Sequence, residues 1–273
     1  MRILVTGGTG HLGRAIVARL QEQGHSIRVL ARHPANDASI DWARGDLSTG
    51  EGIEHAVGGI ETIIHAATHS PIAQRGAFRA VDLFRSPTDV DVQGTAALLN
   101  AAARANVRHF IHISIVGLKY TAGLRYSQAK LAAERVVRES PVPWSIVRAT
   151  GFYWLMARLL AGMSAKRFVP IPARVRMQPV DSDDFAGYVV RAVFDGHRGE
   201  RQDFAGPQVL TMGEIMREYC AAYGLRPRVL GIPLPRRLRT MIEAGQVAPG
   251  SMHGSQTWAG WLRLQSSPRA PGG

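Results

Sequence analysis

Three side chains in the middle of the chain, Ser114, Tyr126 and Lys130, have types and spacing suited to moving a proton. A phenol titrates at about 10 and is a poor acid or base at neutral pH, but an adjacent ammonium favours the phenolate and brings its pKa toward the working range. Tyr126 and Lys130 are four residues apart, so a helix places them one turn apart on one face. Ser114 would then hold a substrate oxygen while Tyr126 delivers its proton. The plain alternative makes Tyr126 and Lys130 surface residues of an amphipathic helix and Ser114 a strand-end hydroxyl. Tyr-x-x-x-Lys alone is a common pattern and gains weight only from what accompanies it.

What accompanies it is the start of the chain. Residues 2–6, RILVT, form an apolar run with β-branched members and predict a strand. Gly7, Gly8, Thr9, Gly10, His11, Leu12 and Gly13 follow. Ala15, Ile16 and Leu20 then recur at helical spacing up to Gly24, and a second strand is predicted over 27–30. In Gly8-x-Gly10-x-x-Gly13 the first glycines allow a tight turn, the next lets backbone approach a pyrophosphate, and the last lets helix pack on strand. Free N–H groups and the dipole at the helix start favour the negative charge. In NAD-binding folds an acid at the end of the second strand bonds the ribose 2′-hydroxyl. Here the stretch from Arg28 to His33 has none, and Arg32 would pair with a 2′-phosphate, so NADP(H) is expected ahead of NAD(H).

Further elements must carry these groups. A third strand over 40–44 leads into Gly45-Asp46-Leu47, where Asp46 would bond the adenine amine or cap the next short helix. A fourth strand over 62–66, ending in Ala66, leads into Ala67 and Thr68, small enough for backbone to lie close to a cofactor. Residues 69–89 hold two prolines and an apolar patch around Phe78, Val81, Leu83 and Phe84, the make-up of a lid over the substrate. A helix opens at 91–95 and ends near Asn106, and residues 109–114 form a strand apolar enough to be buried on both faces. A helix runs from Tyr126 through Val137, a sixth strand covers 142–147, and Thr150-Gly151-Phe152 lies at its carboxyl end. Beyond it come an apolar helix over 153–163, a strand over 174–179, and a helix over 185–194 capped by Asp181, Ser182 or Asp183. A strand over 201–205 precedes a helix that Thr211 and Glu214 open as a capping box. Residues 226–232, 236–244 and 257–264 complete the order.

This pattern fits a Rossmann-type doubly wound α/β fold, with a mostly parallel sheet and a small mixed C-terminal lobe. The division expected is 1–150 for the dinucleotide-binding domain and 151–265 for a small lobe completing the same compact unit. Residues 266–273, rich in Pro, Gly and Ser, are expected to be a disordered tail. The single cysteine, Cys220, rules out an internal disulfide, and the histidines show no ligand spacing, so no metal is expected. No apolar run reaches about 18 residues, and a soluble cytoplasmic protein without a membrane partner is expected. The net charge of +12 raises nucleic acid as a partner. Yet only Lys119, Lys130 and Lys166 are lysines, and the arginines are spread along the chain, as the nucleotide bias of a GC-rich genome would also produce.

TGGTGHLG at 6–13, Ser114 and YSQAK at 126–130 together resemble the short-chain dehydrogenase/reductase superfamily. HISIVG at 112–117, AKLAAE at 129–134, WSIVRAT at 144–150 and QPVDSDDFA at 178–186 are similar to its atypical, NmrA-like NAD(P)H-binding branch. The resemblance implies an NAD(P)-dependent oxidoreductase that passes hydride between NADPH and a small carbonyl, quinone or enone. It implies Ser114 as holder of the substrate oxygen, Tyr126 as acid/base, Lys130 on the nicotinamide ribose, and Thr150-Gly151-Phe152 at the nicotinamide amide. Many catalytic members carry a relay asparagine on the central helix, where this chain has Asp91. The branch also includes non-catalytic redox sensors, which makes a sensor of NADP(H) the alternative. A nucleotide-sugar epimerase ranks third, because such an enzyme usually needs a larger, more polar C-terminal lobe and the apolar 153–163 stretch suits a small apolar or aromatic substrate better than a nucleotide sugar. In this superfamily the Tyr-x-x-x-Lys helix often contributes to homodimers.

Overall fold

The computed structural model describes residues 1–68, 89–164 and 166–266. The expected lid with Phe78, Val81, Leu83 and Phe84, and the tail from 267 onward, lie outside the described residues. Six strands form the centre: β1 (Arg2–Thr6), β2 (Ser26–Ala31), β3 (Asp41–Arg44), β4 (Thr62–His65), β5 (His109–Ile115) and β6 (Trp144–Ala149). They lie in the order β3-β2-β1-β4-β5-β6, every pair parallel. Strands covered on both faces have no reason to alternate, and β4 is buried at all four positions. Strand order reverses at the β1–β4 pair, where an open α/β sheet forms its ligand crevice.

Helices cover both faces. On one side α1 (His11–Glu22) buries Gly13, Ile16, Val17 and Leu20 in a core shared with Ile3, Val5, Phe185 and Val189. On the other, α2 (Ile53–Val57), α3 (Thr95–Arg104) and α4 (Arg125–Arg138) close over Leu4, Ile63, Phe110 and Ile146. A six-residue π-helical turn, Asp89–Gly94, precedes α3. It brings Asp91 into the crevice.

After β6 the chain builds α5 (Tyr153–Ser164), β7 (Phe168–Ile171), β8 (Arg176–Met177), α6 (Ser182–Phe194), β9 (Gly199–Glu200), β10 (Phe204–Ala205) and β11 (Leu210–Thr211). It ends with α7 (Met212–Ala222), β12 (Arg228–Gly231), α8 (Arg236–Ala244), β13 (Met252–His253) and α9 (Trp258–Ser266). The expected division at 150 separates stretches of sequence, not layers. The chain returns to the first core with α6 on α1, while β10 and β13 extend the parallel sheet past β6. The helices α5, α7 and α9 and the strands β7 and β8 gather around a separate core of Tyr153, Met156, Ile171, Met216 and Trp258, against which Leu210 of β11 and Ile242 of α8 also pack. Asp181 is the cap of α6, accepting from the Asp183 and Asp184 amides, and Thr211 with Glu214 forms the capping box of α7. Ser266, expected in the tail, is the last residue of α9. Among the described residues no helix is long and apolar enough to cross a membrane.

Candidate active site

The glycine turn between β1 and α1 is shaped by three different requirements. Gly7 has φ of +73°, and a Cβ there would lie 2.7 Å from the Ala67 amide nitrogen, so Ala66 and Ala67 pack their backbone directly on the turn. At Gly13 a Cβ would come within 2.1 Å of the Gly7 carbonyl oxygen, so the helix can sit against the turn only with hydrogen at that position. Gly10 differs from both. It is exposed, and its Cβ would approach only the Gly7 oxygen, at 3.3 Å. Gly10 caps α1 without a side chain, so the helix opens with uncapped N–H groups facing accessible space beside Thr9 and His11. That space fits a pyrophosphate. The His11 ring stacks on Trp154 with centroids 4.2 Å apart, and Leu12 packs into the core.

Around this cradle, Arg32 is exposed just past β2 and close enough to lower the pKa of Asp46. The larger influence on Asp46 is Ser48, whose amide and hydroxyl both donate to Oδ1, at 2.8 and 2.7 Å. Asp46 therefore fixes a turn rather than capping a helix, and Leu47 beside it is buried. Thr150 is buried and donates to the Gln178 carbonyl, while Phe152 is bridged to Val180 and packs on Phe185. Gly151 is partly open, with Gln246 above it.

The proton-handling groups meet where β4 ends. Lys130 Nζ lies 2.7 Å from Asp91 Oδ1, with side chains 3 % and 2 % exposed. Thr68 Oγ1 donates to the same Asp91 oxygen at 2.8 Å and is within hydrogen-bonding reach of the half-buried Tyr126. Burial raises the Tyr126 pKa, Asp91 adds to the rise, and Lys130 and Thr68 pull the other way without reversing it. The expected lowering of this phenol by Lys130 is thus outweighed, chiefly by burial and further by the Asp91 carboxylate. The same carboxylate raises the pKa of Lys130 against the opposing effect of burial.

A family model described as NAD(P)H-binding matches residues 7–194, more than half of the chain. The chain belongs to this NAD(P)H-binding family. The fold agrees with the resemblance to the short-chain dehydrogenase/reductase superfamily that the motifs carry. It is 27% identical to an NAD(P)H azoreductase of Xenophilus azovorans, covering 89% of this chain and 81% of that one. A photosystem II assembly factor of Trieres chinensis is 31% identical over 56% of this chain, and the chain spans only 46% of that relative's length. Among solved structures, an NADPH-dependent quinone oxidoreductase of Escherichia coli with NADPH bound superposes with a TM-score of 0.74 at 17% identity, covering 96% and 99% of the two chains. A UDP-glucose 4-epimerase of Thermotoga maritima gives 0.75 at 17%, covering 97% of each. At such identity these two show the fold alone.

One residue expected in the site of this family member faces elsewhere. Ser114 is buried on the face of β5 that also carries Phe110 and His112, under α4, and its hydroxyl points to Glu134 and helps lower that carboxyl's pKa. No well-formed hydrogen bond holds the Ser114 oxygen. Glu134 is the hub of a buried network. Arg148 grips both its oxygens at 2.7 Å, and Arg138 adds a third bond at 2.7 Å. The hydroxyl beside Tyr126 is that of Thr68. Glu134 had a signal in the sequence, since it continues the 126, 130 spacing by another four residues on the same helix face. Thr68 was expected only as a small residue beside the cofactor and Asp91 only at the position of a relay asparagine, and nothing in the sequence joined either to Tyr126 or Lys130.

Proposed function

We propose that this chain is an NADPH-dependent oxidoreductase acting on a small apolar or aromatic acceptor such as a quinone, azo compound, enone or carbonyl, with Tyr126 as proton donor. The observation that carries the reading is the meeting of Tyr126, Lys130, Asp91 and Thr68 directly beyond the Ala66–Ala67 backbone that seals the glycine cradle. The relative named as an NAD(P)H azoreductase supports it.

NADPH, when bound, supplies the hydride. The chain's residues do the remainder. The amides at the start of α1 hold pyrophosphate, Arg32 pairs with the 2′-phosphate, the free side of Asp46 receives the adenine amine, and residues 150–152 meet the nicotinamide amide. Tyr126 gives its hydroxyl proton to the reduced acceptor, and Lys130 stabilises the phenolate left behind. Asp91 keeps Lys130 charged inside the protein, and Thr68 ties Asp91 to the phenol. Ser114 is not needed for this assignment.

A second reading, a binding protein that senses NADP(H) without turnover, is favoured by two observations: the raised pKa of Tyr126 and the turn of Ser114 toward Glu134. One experiment separates them. The purified protein is titrated with NADPH and NADH, and NADPH oxidation is then followed against quinones, azo dyes, enones and aldehydes. Turnover that falls about 100-fold or more in Tyr126→Phe with NADPH affinity unchanged supports the enzyme. Tight NADPH binding without turnover across the panel supports the sensor.

A further inference from the structure

Two stretches distant in sequence carry most of the chain's surplus charge. Residues 165–177 and 223–244 hold nine of the 33 lysines and arginines and one acid, Glu243, a net of +8 out of +12. The fold joins them. Strands β7 and β12 pair in parallel, placing Arg228 beside Phe168 and Leu230 beside Pro170, and α8 begins five residues after β12. Glu243 is largely covered and bonded to Arg176, so it does little to relieve the outer charge. The even spread of arginine along the sequence is therefore not an even spread over the surface.

The same surface is apolar. Phe168, Val229, Leu230, Ile232 and Leu238 are between 39 % and 50 % exposed, and seven of the thirteen exposed large hydrophobic residues of the described chain fall in these two stretches. The guanidinium groups of Arg167 and Arg228 both lie over the Phe168 ring. Helix α8 has no fully buried residue, and its Leu238 is open to solvent among Arg236, Arg237 and Arg239. A small cavity of about 90 Å³ joins the elements, with Arg174 and Arg239 among apolar walls from Pro172, Ile232 and Leu234.

We propose that this β7–β12–α8 face docks on the surface of an anionic lipid bilayer. The charge must be matched by negative charge, which a second copy of the same face lacks. Nucleic acid would match the arginines but leave Leu230, Ile232 and Leu238 in water. An anionic bilayer satisfies both, with arginines at the lipid phosphates and apolar side chains in the acyl boundary. Helix α8 also ends against the loop beside the proposed active site: a Cβ on Gly117 would meet the Ala244 carbonyl at 2.6 Å. Thr121 in the turn that follows bonds Ser127, the neighbour of Tyr126. If the oxidoreductase reading holds, docking sets the substrate mouth beside the membrane, where lipid-soluble acceptors reside. The docking itself does not rest on that reading.

The test is co-sedimentation of the full chain with phosphatidylcholine vesicles, with and without phosphatidylglycerol. Melting curves and NADPH titration of each variant confirm that the exposed substitutions leave the fold intact. The expected result is partitioning at least about tenfold stronger on the anionic vesicles, weakened by salt, and lost both in Leu230→Asp/Leu238→Asp and in Arg236→Glu/Arg237→Glu. Failure to sediment with phosphatidylglycerol, binding retained in both double variants, or binding to duplex DNA that survives the leucine changes overturns the proposal. Turnover without vesicle binding would sink the docking alone, and vesicle binding without turnover would sink the oxidoreductase reading alone.

Discussion

Lys130 and Asp91 form an ion pair of 2.7 Å in which neither side chain is more than 3 % exposed. Two buried charges persist only because each satisfies the other, and removing one partner leaves an expensive orphan. Asp91→Ala is expected to cost about 3–5 kcal/mol of stability, measured by urea unfolding, with Asp91→Asn costing less. The asparagine variant has a second signature. Asp91 raises the pKa values of both Tyr126 and Lys130, so removing its charge lowers both. Tyr126 must be protonated to donate, so activity is lost as pH rises through its pKa. The alkaline limb of kcat/KM for acceptor reduction is therefore expected to move to lower pH in Asp91→Asn. A limb that stays in place or moves upward would show that Asp91 does not act on Tyr126.

The two hydroxyls near the crevice should separate cleanly. Thr68 bonds Asp91 and reaches Tyr126, whereas Ser114 faces Glu134 without a well-formed hydrogen bond. Thr68→Val is expected to lower kcat about tenfold, the value of one hydrogen bond at a charged group. Ser114→Ala should leave kcat within about threefold, since little bonding is lost. Stopped-flow NADPH oxidation reads both, and the reverse ranking would return Ser114 to the site.

What the sequence reveals depends on how local the physics is. The strand, glycine turn and helix at the start of the chain are a contiguous unit whose steric demands fall on single glycines, so their roles are readable in order. The shared face of Tyr126 and Lys130 follows from helix periodicity alone. Ser114 was beyond that reach because β5, HFIHISI, is buried on both faces, and its pattern does not say which way an odd or even residue points. Asp91 meets Lys130 across 39 residues, a pairing that only the sheet topology creates. The two-residue strands β10 and β13 carry too little pattern to announce that they extend the main sheet.

The glycines of the cradle should fail in different ways. A methyl group at Gly13 collides with the Gly7 carbonyl at 2.1 Å, so Gly13→Ala should destabilise the fold by at least about 1–3 kcal/mol. Gly10→Ala meets only a 3.3 Å neighbour and should fold normally. Its methyl would occupy the space through which a pyrophosphate approaches, so NADPH affinity should fall about tenfold or more. Thermal melts and cofactor titration on the two variants would show the inverted pattern if Gly10 served packing and Gly13 served the ligand.

Acid should unfold this protein through its buried histidines. His65 is held between the Thr6 and Thr95 hydroxyls, and burial pushes its pKa down to about 4. Burial takes His109 to about 4 as well, and lowers His112, which has no hydrogen-bond partner at either ring nitrogen, well below the usual range. Each has a folded pKa below its unfolded value of about 6.5, so the unfolded chain binds more protons across that interval. Stability is then complete above pH 6.5 and falls as pH drops toward 4, by about 1.4 kcal/mol per pH unit for each histidine. Three such groups would remove about 10 kcal/mol by pH 4, comparable to a typical margin of about 5–15 kcal/mol. Denaturant melts from pH 8 to pH 4 should show this slope, and His112→Leu, which gives up no hydrogen bond, should flatten it by about a third while leaving stability at pH 8 nearly unchanged. A wild-type profile flat from pH 6.5 to 4.5 would mean that these rings are protonated in the fold or reach solvent.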